Sequence, residues 1–154
     1  VIELIPYKAE HAIEVIANRA QQPGLKITGL IEQWAKHKES VISKTVILGN
    51  KIIGCGGIEI CWPGMAEAWA VSVYNLSDYL VNPRKVKHQL HAWIKEHNLI
   101  RVQAPMRTDF PVGIRFAEFL GFKPDGWPEV PKGVLMENYH PDGVSAIMYS
   151  IIGV

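Results

Sequence analysis

The sequence predicts a mixed α/β (α+β) fold: a mixed sheet of about six to seven strands with about four helices, in the order β-α-α-β-β-β-α-β-α-β-β. Three observations predict it. Gly49-Asn50 joins two β-branched apolar runs as a two-residue hairpin, and Pro63-Gly64 turns the chain into a third run, giving a meander. A helical stretch after Asn82-Pro83 then leads to a further apolar strand, which makes a β-α-β crossover. The chain has 154 residues, 48% of them hydrophobic and 20% charged, so it carries enough apolar surface for one core; a single domain over residues 1–154 is expected.

Composition narrows the function classes. Sixteen Lys and Arg against fifteen Asp and Glu leave a formal net charge of +1, too little for long-range attraction to polyanions, so no nucleic acid partner is expected. Cys55 and Cys61 cannot form a disulfide framework; on one extended strand their sulfurs stand roughly 20 Å apart. Neither has the further close ligands that zinc needs. A reducing compartment fits. Val1–Tyr7 has no basic region ahead of a long apolar run, and no segment approaches the roughly 20 consecutive apolar residues of a membrane span. The expected location is cytoplasmic, with no membrane partner.

Each element has its own local cause. Val1 to Ile5 is a β-prone run closed by Pro6. Ile13, Ile16, Ala17 and Ala20 share one helical face, ended by Gln21, Gln22, Pro23 and Gly24. Ile27, Leu30, Ile31, Trp34 and Ala35 repeat that spacing, with Glu32, Gln33, Lys36 and Lys38 on the other side. Ser43 to Leu48 and Lys51 to Cys61 are the hairpin strands. Gly54, Gly56 and Gly57 inside the second imply a bulge or a close backbone approach. Ala66 to Tyr74 is the third strand and carries Glu67 and Trp69.

After a polar stretch from Asn75 to Val81, Asn82 reads as a helix N-cap and Pro83 as the first helical residue. Val86, Leu90, Trp93, Ile94 and His97 trace the buried face, and Asn98 is the stop. Leu99 to Ala104 is a strand that Pro105 ends. A last helix opens near Asp109 with Pro111 early, buries Val112, Phe116, Phe119 and Leu120, and stops at Gly121. The loop from Phe122 to Gly133 is either a lid or a rigid surface bridge. Val134 to Tyr139 and Val144 to Ile152 form a closing hairpin through His140-Pro141-Asp142-Gly143.

This order of elements, with the crossover helix after the fourth strand and an apolar helix ending Phe119-Leu120-Gly121-Phe122, resembles the GNAT N-acyltransferase family over nearly the whole chain. The resemblance implies acetyl-coenzyme A as co-substrate, lying where the fourth and fifth strands splay apart, with its pantetheine against the backbone of Ala70 to Tyr74. It marks Val71, Ser72 and Val73 as cofactor-binding. It implies a small-molecule or protein amine as acceptor, and no metal.

The family's pyrophosphate loop, Arg/Gln-x-x-Gly-x-Gly/Ala, falls here on Asp78 to Arg84, where the arginine becomes an aspartate and no glycine is present. Pro83 has no N–H to give. What is left is a helix N-terminus with Asn82, Arg84 and Lys85, which either holds phosphate electrostatically or carries solvated charges. The tyrosine that such folds place four residues before the glycine is Ala117 here, and the asparagine one turn before the helix proper aligns with Phe110. Glu67 stands where some members keep a general base, its alternative being a surface carboxylate. Tyr79 and Tyr139 are the substitute proton donors, between which spacing does not choose, and Tyr79 stands with Glu67 as catalytic candidate.

Trp69, the glycine-free connection, Pro83-Arg84-Lys85 and Ile114-Arg115-Phe116 are similar to small GNAT-like proteins of short-tailed phages, some of them internal virion proteins. Two functions follow: an acetyl-coenzyme A dependent N-acetyltransferase, or an inactive GNAT-like structural protein. The assemblies the resemblance allows are a homodimer or a phage particle, and a phage-encoded chain would reside in host cytoplasm or virion.

Other constellations carry less. His88 and His91 lie three apart on the crossover helix, as a metal pair or as two solvent-facing residues. Cys55 lacks a helix N-terminus to activate it and reads as buried and inert. Gly54-x-Gly56-Gly57 lies inside a strand with no helix after it, unlike a nucleotide loop. The five tryptophans read mostly as core, Trp34 and Trp93 most firmly.

Overall fold

A computed structural model describes residues 1–18, 29–73 and 83–153. Among these residues the elements are β1 (Ile2–Pro6), α1 (Ala9–Ala17), α2 (Gly29–His37), a 3-10 turn (Lys38–Ser40), β2 (Ile42–Leu48), β3 (Lys51–Trp62), β4 (Met65–Ser72), α3 (Arg84–Glu96), β5 (Arg101–Arg107), α4 (Pro111–Leu120), β6 (Lys123–Pro124), β7 (Leu135–Met136) and β8 (Ala146–Ile152). One sheet takes the order β1-β2-β3-β4-β5-β8-β6, with β7 also on β8. The mixed α/β expectation holds. The strand count is eight because Lys123–Pro124, inside the expected loop, adds to β8, while the expected strand Val134 to Tyr139 forms on β8 over Leu135–Met136 only. Ala20, the stop at Gln21 to Gly24, Ile27, and the stretch from Asn75 to Asn82 lie outside the described residues.

The backbone falls into two units, Val1–Glu59 with Ala68–His88, and Ile60–Glu67 with Gln89–Val154. In the first, β1, β2 and β3 are antiparallel, and Leu48 faces Lys51 across the two-residue turn that Gly49-Asn50 announces. The register shifts between Val46 and Ile47, leaving Ile53 as the extra residue of a bulge. Gly57 meets the second expectation: a Cβ there would lie 1.9 Å from the Ile42 carbonyl oxygen. Bulge and close approach both occur.

Helix α1 buries Ala12, Val15 and Ile16, while Ala17 is exposed, so its buried face is turned by one residue from the expected one. Its first turn is fixed from two directions: Lys8 N–H donates to His11 Nδ1 at 3.2 Å, and Ala9 N–H donates to Glu39 Oε2 at 2.8 Å. An anion at a helix N-terminus complements the dipole. Helix α2 buries Ala35 and packs Ile31 and Trp34 on the same core, but Leu30 is 77% exposed. Ile53, fully buried in this core, contributes about 2 kcal/mol by burial.

In the second unit, β4 and β5 run parallel, as the crossover requires, with Met65, Ala66 and Glu67 opposite Arg101, Val102 and Gln103. Strand β8 then pairs antiparallel with β5 over Arg101–Arg107. Pro105 does not end β5; it lies inside it, opposite Met148. Thr108 donates its N–H toward β8 at Ser145, whereas Arg101 donates to Gly64 on the other side. By strand alternation the backbone of Pro105 faces away from β8, past the end of the three-pair ladder, so its missing N–H breaks no bond.

Leu90 and Ile94 of α3 are buried as expected, and Asn98 ends the helix with φ 51°. In α4 the buried residue is Ala117, while Phe119 is 40% exposed. Pro111 opens that helix and Gly121, at φ 109°, closes it, its N–H and that of Phe122 reaching back to Glu118 and Ala117. Trp62 and Trp127 are exposed rather than core, being on the β3–β4 hairpin and the long loop. No helix among the described residues is long and apolar enough to cross a membrane.

Candidate functional site

Strand β4 carries most of the residues singled out from the sequence. Its side chains alternate, so Trp69, Val71 and Val73 share the face covered by α1 and α2 and join that core. Its backbone alternates too. Val73 N–H donates to the Ile53 carbonyl at 3.1 Å, and the carbonyls of Val71 and Trp69 face Gly54 and Gly56, where a Cβ would stand 3.1 and 3.0 Å from them. The intervening residues Ala68, Ala70 and Ser72 therefore turn their N–H and C=O toward the opposite edge. Glycine at 54 and 56 lets β3 approach β4 this closely.

Of the eight residues of β4, the first three complete the ladder to β5. The strand then continues through Ala68, Trp69, Ala70, Val71 and Ser72. Val71 and Val73 are buried and Ser72 half-buried, so side chains at 71 and 73 serve the core, and any ligand alongside would meet backbone. Val73 also lines an open hollow of about 560 Å³ with Glu14, Asn18, Asn50 and Lys51.

At the start of α3, the Pro83 carbonyl accepts from Val86 and Lys87, which closes the first turn. Arg84 and Lys85 are exposed in this turn, and the Lys85 ammonium donates to the Ile2 carbonyl at 2.8 Å, pinning the helix start to β1. Asn82 and Tyr79 lie outside the described residues. The structure thus brings Val71, Ser72, Val73, Arg84 and Lys85 into one unit, without placing Tyr79 or Asn82.

Glu67 is half-buried at the end of a hydrogen-bonded chain in the other unit. Gln103 Nε2 donates to Glu67 Oε2 at 3.4 Å, Arg101 Nε donates to Gln103 Oε1 at 2.9 Å, and Arg101 Nη1 reaches Asp125 Oδ1 at 2.9 Å. Ser150 Oγ also donates to Asp125. The Arg101 hydrogen bond holds the Asp125 carboxyl below its ordinary range, with Ser150 adding to it. Glu67 is thus held by the carboxamide of Gln103.

Trp69 was legible as a tryptophan on the fourth strand, but its surroundings were not. Its indole sits edge-to-face with Tyr7, centroids 5.3 Å apart, and with Trp34 at 5.4 Å. Tyr7 donates its hydroxyl to the Ala35 carbonyl at 2.7 Å, and burial pushes that phenol well above its usual range. The Trp69 Nε1–H is buried and has no acceptor among the described residues. Leaving such a donor unmatched costs about 1–3 kcal/mol.

Two other positions in and just before α4 complete the site residues. Ala117 is buried in packing. Phe110 lays its ring on Gly113, whose Cβ would come within 2.4 Å of it. His91 Nε2 donates to the Leu120 carbonyl at 2.8 Å, which ties this histidine to the end of α4. Cys55 is buried and Cys61 exposed, and neither is in a disulfide.

No protein-family profile and no curated protein sequence matches the chain. Solved structures do. Ard1 from Thermoplasma volcanium superposes with a TM-score of 0.75 at 15% identity, covering 99% of this chain and 98% of that one. The ribosomal-protein-S18-alanine N-acetyltransferase from Escherichia coli gives 0.71 at 15% identity over 100% and 96%. YncA, a putative acetyltransferase from Salmonella typhimurium solved with its cofactor acetyl-CoA, gives 0.67 at 9% identity over 99% and 94%. The chain has the fold of the GNAT acetyltransferases.

Proposed function

We propose that the protein is an acetyl-coenzyme A dependent N-acyltransferase in which β4 receives the acyl donor through its backbone. The observation that carries this reading is the short parallel ladder: β4 pairs with β5 through Met65–Glu67 and continues for the five residues Ala68–Ser72. Ala68 and Ser72 turn their polar backbone away from β3, which suits pantetheine amides and a thioester carbonyl.

The chemistry needs few side chains. The nitrogen lone pair of a small-molecule or protein amine attacks the thioester carbon, the C–S bond breaks, and the thiolate leaves with a proton. Holding the two reactants together supplies most of the acceleration. Glu67 is the candidate to take the amine proton and Tyr79 the candidate to protonate the thiolate. Arg84, Lys85 and Asn82 are the candidates to hold the phosphates at the start of α3, by charge and helix dipole in place of a glycine cradle.

A second reading, a chain that keeps the fold as a virion or other structural component without turnover, is favoured by the absence of glycine between Asp78 and Arg84. The two separate on one experiment. Thiol release from acetyl-coenzyme A, measured with a panel of primary amines, supports the transferase if it depends on Glu67 and falls at least about tenfold in Glu67→Gln. Equal release with and without protein removes it.

A further inference from the structure

Trp69 of β4 belongs to a side-chain cluster that has no place in the donor site. Lys38, in the 3-10 turn after α2, has a side chain only 12% exposed. Its ammonium lies 5.5 Å from the ring centroid of Trp69 and 5.9 Å from that of Trp34, and it donates to Glu59 Oε1 at 2.9 Å. His37 Nε2 reaches the same Glu59 oxygen at 3.0 Å. Two indole faces and a carboxylate around one primary ammonium make a cation seat. The Lys38 hydrogen bond keeps the Glu59 carboxyl below its ordinary range, so the anionic side of the seat is charged at neutral pH. Beside it, the buried Trp69 Nε1–H has no acceptor among the described residues.

We propose that this seat is an ammonium-binding subsite, held in the resting chain by Lys38 itself, and that its ligand is a primary alkylammonium that also carries a carbonyl, as a lysine side chain in a peptide does. The ammonium would replace that of Lys38 on Trp34, Trp69 and Glu59, and the carbonyl would accept from Trp69 Nε1–H. Naming this ligand as the acyl acceptor rests on the transferase reading; the binding subsite itself does not. Trp69 precedes Ala70, whose backbone turns to the proposed donor edge, so the seat adjoins the strand on which the thioester would lie.

The test vacates the seat. In Lys38→Ala, Nα-acetyl-lysine amide is titrated while the indole N–H resonances are followed, with Nα-acetyl-norleucine amide as the neutral control of similar length. Saturable downfield movement of the Trp69 indole proton is expected, with an affinity at least about tenfold above both the norleucine compound and the unmutated chain. Adding Glu59→Gln should remove most of that preference. A folded Lys38→Ala chain that gives no saturable movement, or that binds the neutral compound equally, overturns the proposal. Lys38→Met keeps the stem packed and vacates only the ammonium position. In that variant methylammonium must move the two indole resonances, and silence there overturns the proposal even if the alanine variant does not fold. Titrating the same chains with acetyl-coenzyme A separates the claims: alkylammonium binding without donor binding sinks the transferase and leaves the seat, and the reverse sinks only the seat.

Discussion

Replacing Gly57 by alanine puts one methyl group where β2 and β3 have no room for it. The new Cβ would lie 1.9 Å from the Ile42 carbonyl oxygen and 2.8 Å from the Ser43 Cα. An ordinary C···O contact is about 3.3 Å, so backbone must move by more than about 1 Å against backbone, and no side chain can rotate to relieve it. The Ser43–Gly57 pair sits inside the β2–β3 ladder, between Ile42–Ile58 and Lys44–Gly56, so the shift spreads through its neighbours. Overpacking of this kind lies at or above the upper end of the range of about 1–3 kcal/mol. At this chain length about 3 kcal/mol lowers Tm by roughly 6–12 °C. Gly56→Ala and Gly54→Ala meet the Trp69 and Val71 oxygens at 3.0 and 3.1 Å, where a few tenths of an ångström suffice, and should cost about 1 kcal/mol each. Chemical denaturation monitored by tryptophan fluorescence reads all three. Gly57→Ala within about 0.5 kcal/mol of the parent, or no worse than Gly56→Ala, would refute the close approach of β2 to β3.

Three further outcomes follow from the same coordinates. In the native protein a thiol reagent should label Cys61 and spare Cys55, whose thiol burial pushes up to about 12; mass mapping checks this, and equal labelling would mean the β3 core is open. His140 is held below its ordinary 6.5 by burial and then by Arg107, opposed by Asp142 and Asp109. Since the unfolded chain takes up that proton first, stability should fall as pH drops below 6.5, and His140→Phe should lose that component; parallel curves would contradict it. Arg107 bonds Asp109 Oδ1 at 2.9 Å and Asp142 Oδ2 at 2.7 Å and holds both carboxyls below 3.8, so the advantage of the parent over Asp142→Asn should be full above pH 3.8 and vanish as acid protonates the folded pair. A difference that persists at lower pH would mean Asp142 acts through its turn geometry, where it also accepts from Val144 N–H.

Local chemistry made much of the fold readable. Gly49-Asn50 dictates a two-residue turn, Gly121 a left-handed helix end, and a helix between two strands a parallel crossover; each depends on residues adjacent in sequence. Periodicity fixed which helices exist better than how each is rotated. Ala117 is buried and Phe119 exposed because helix rotation follows the partner surface, which the sequence of one helix does not contain. Pro105 reads locally as a strand end, yet it lies where β5 needs no donor on that edge. The Lys38 seat was the least legible feature. Lys38 looks like one charge of a solvated stripe until folding brings Trp69 and Glu59 from β4 and β3 around it. In the same way, Glu39 reaches back to Ala9 at the start of α1.

The measurement closest to the central claim is an amide titration of the labelled protein with acetyl-coenzyme A. Backbone N–H signals of Ala68 and Ser72 should move saturably, and Arg84→Glu should weaken the effect. Movement confined to other strands, or none at millimolar ligand, would contradict a donor site on β4.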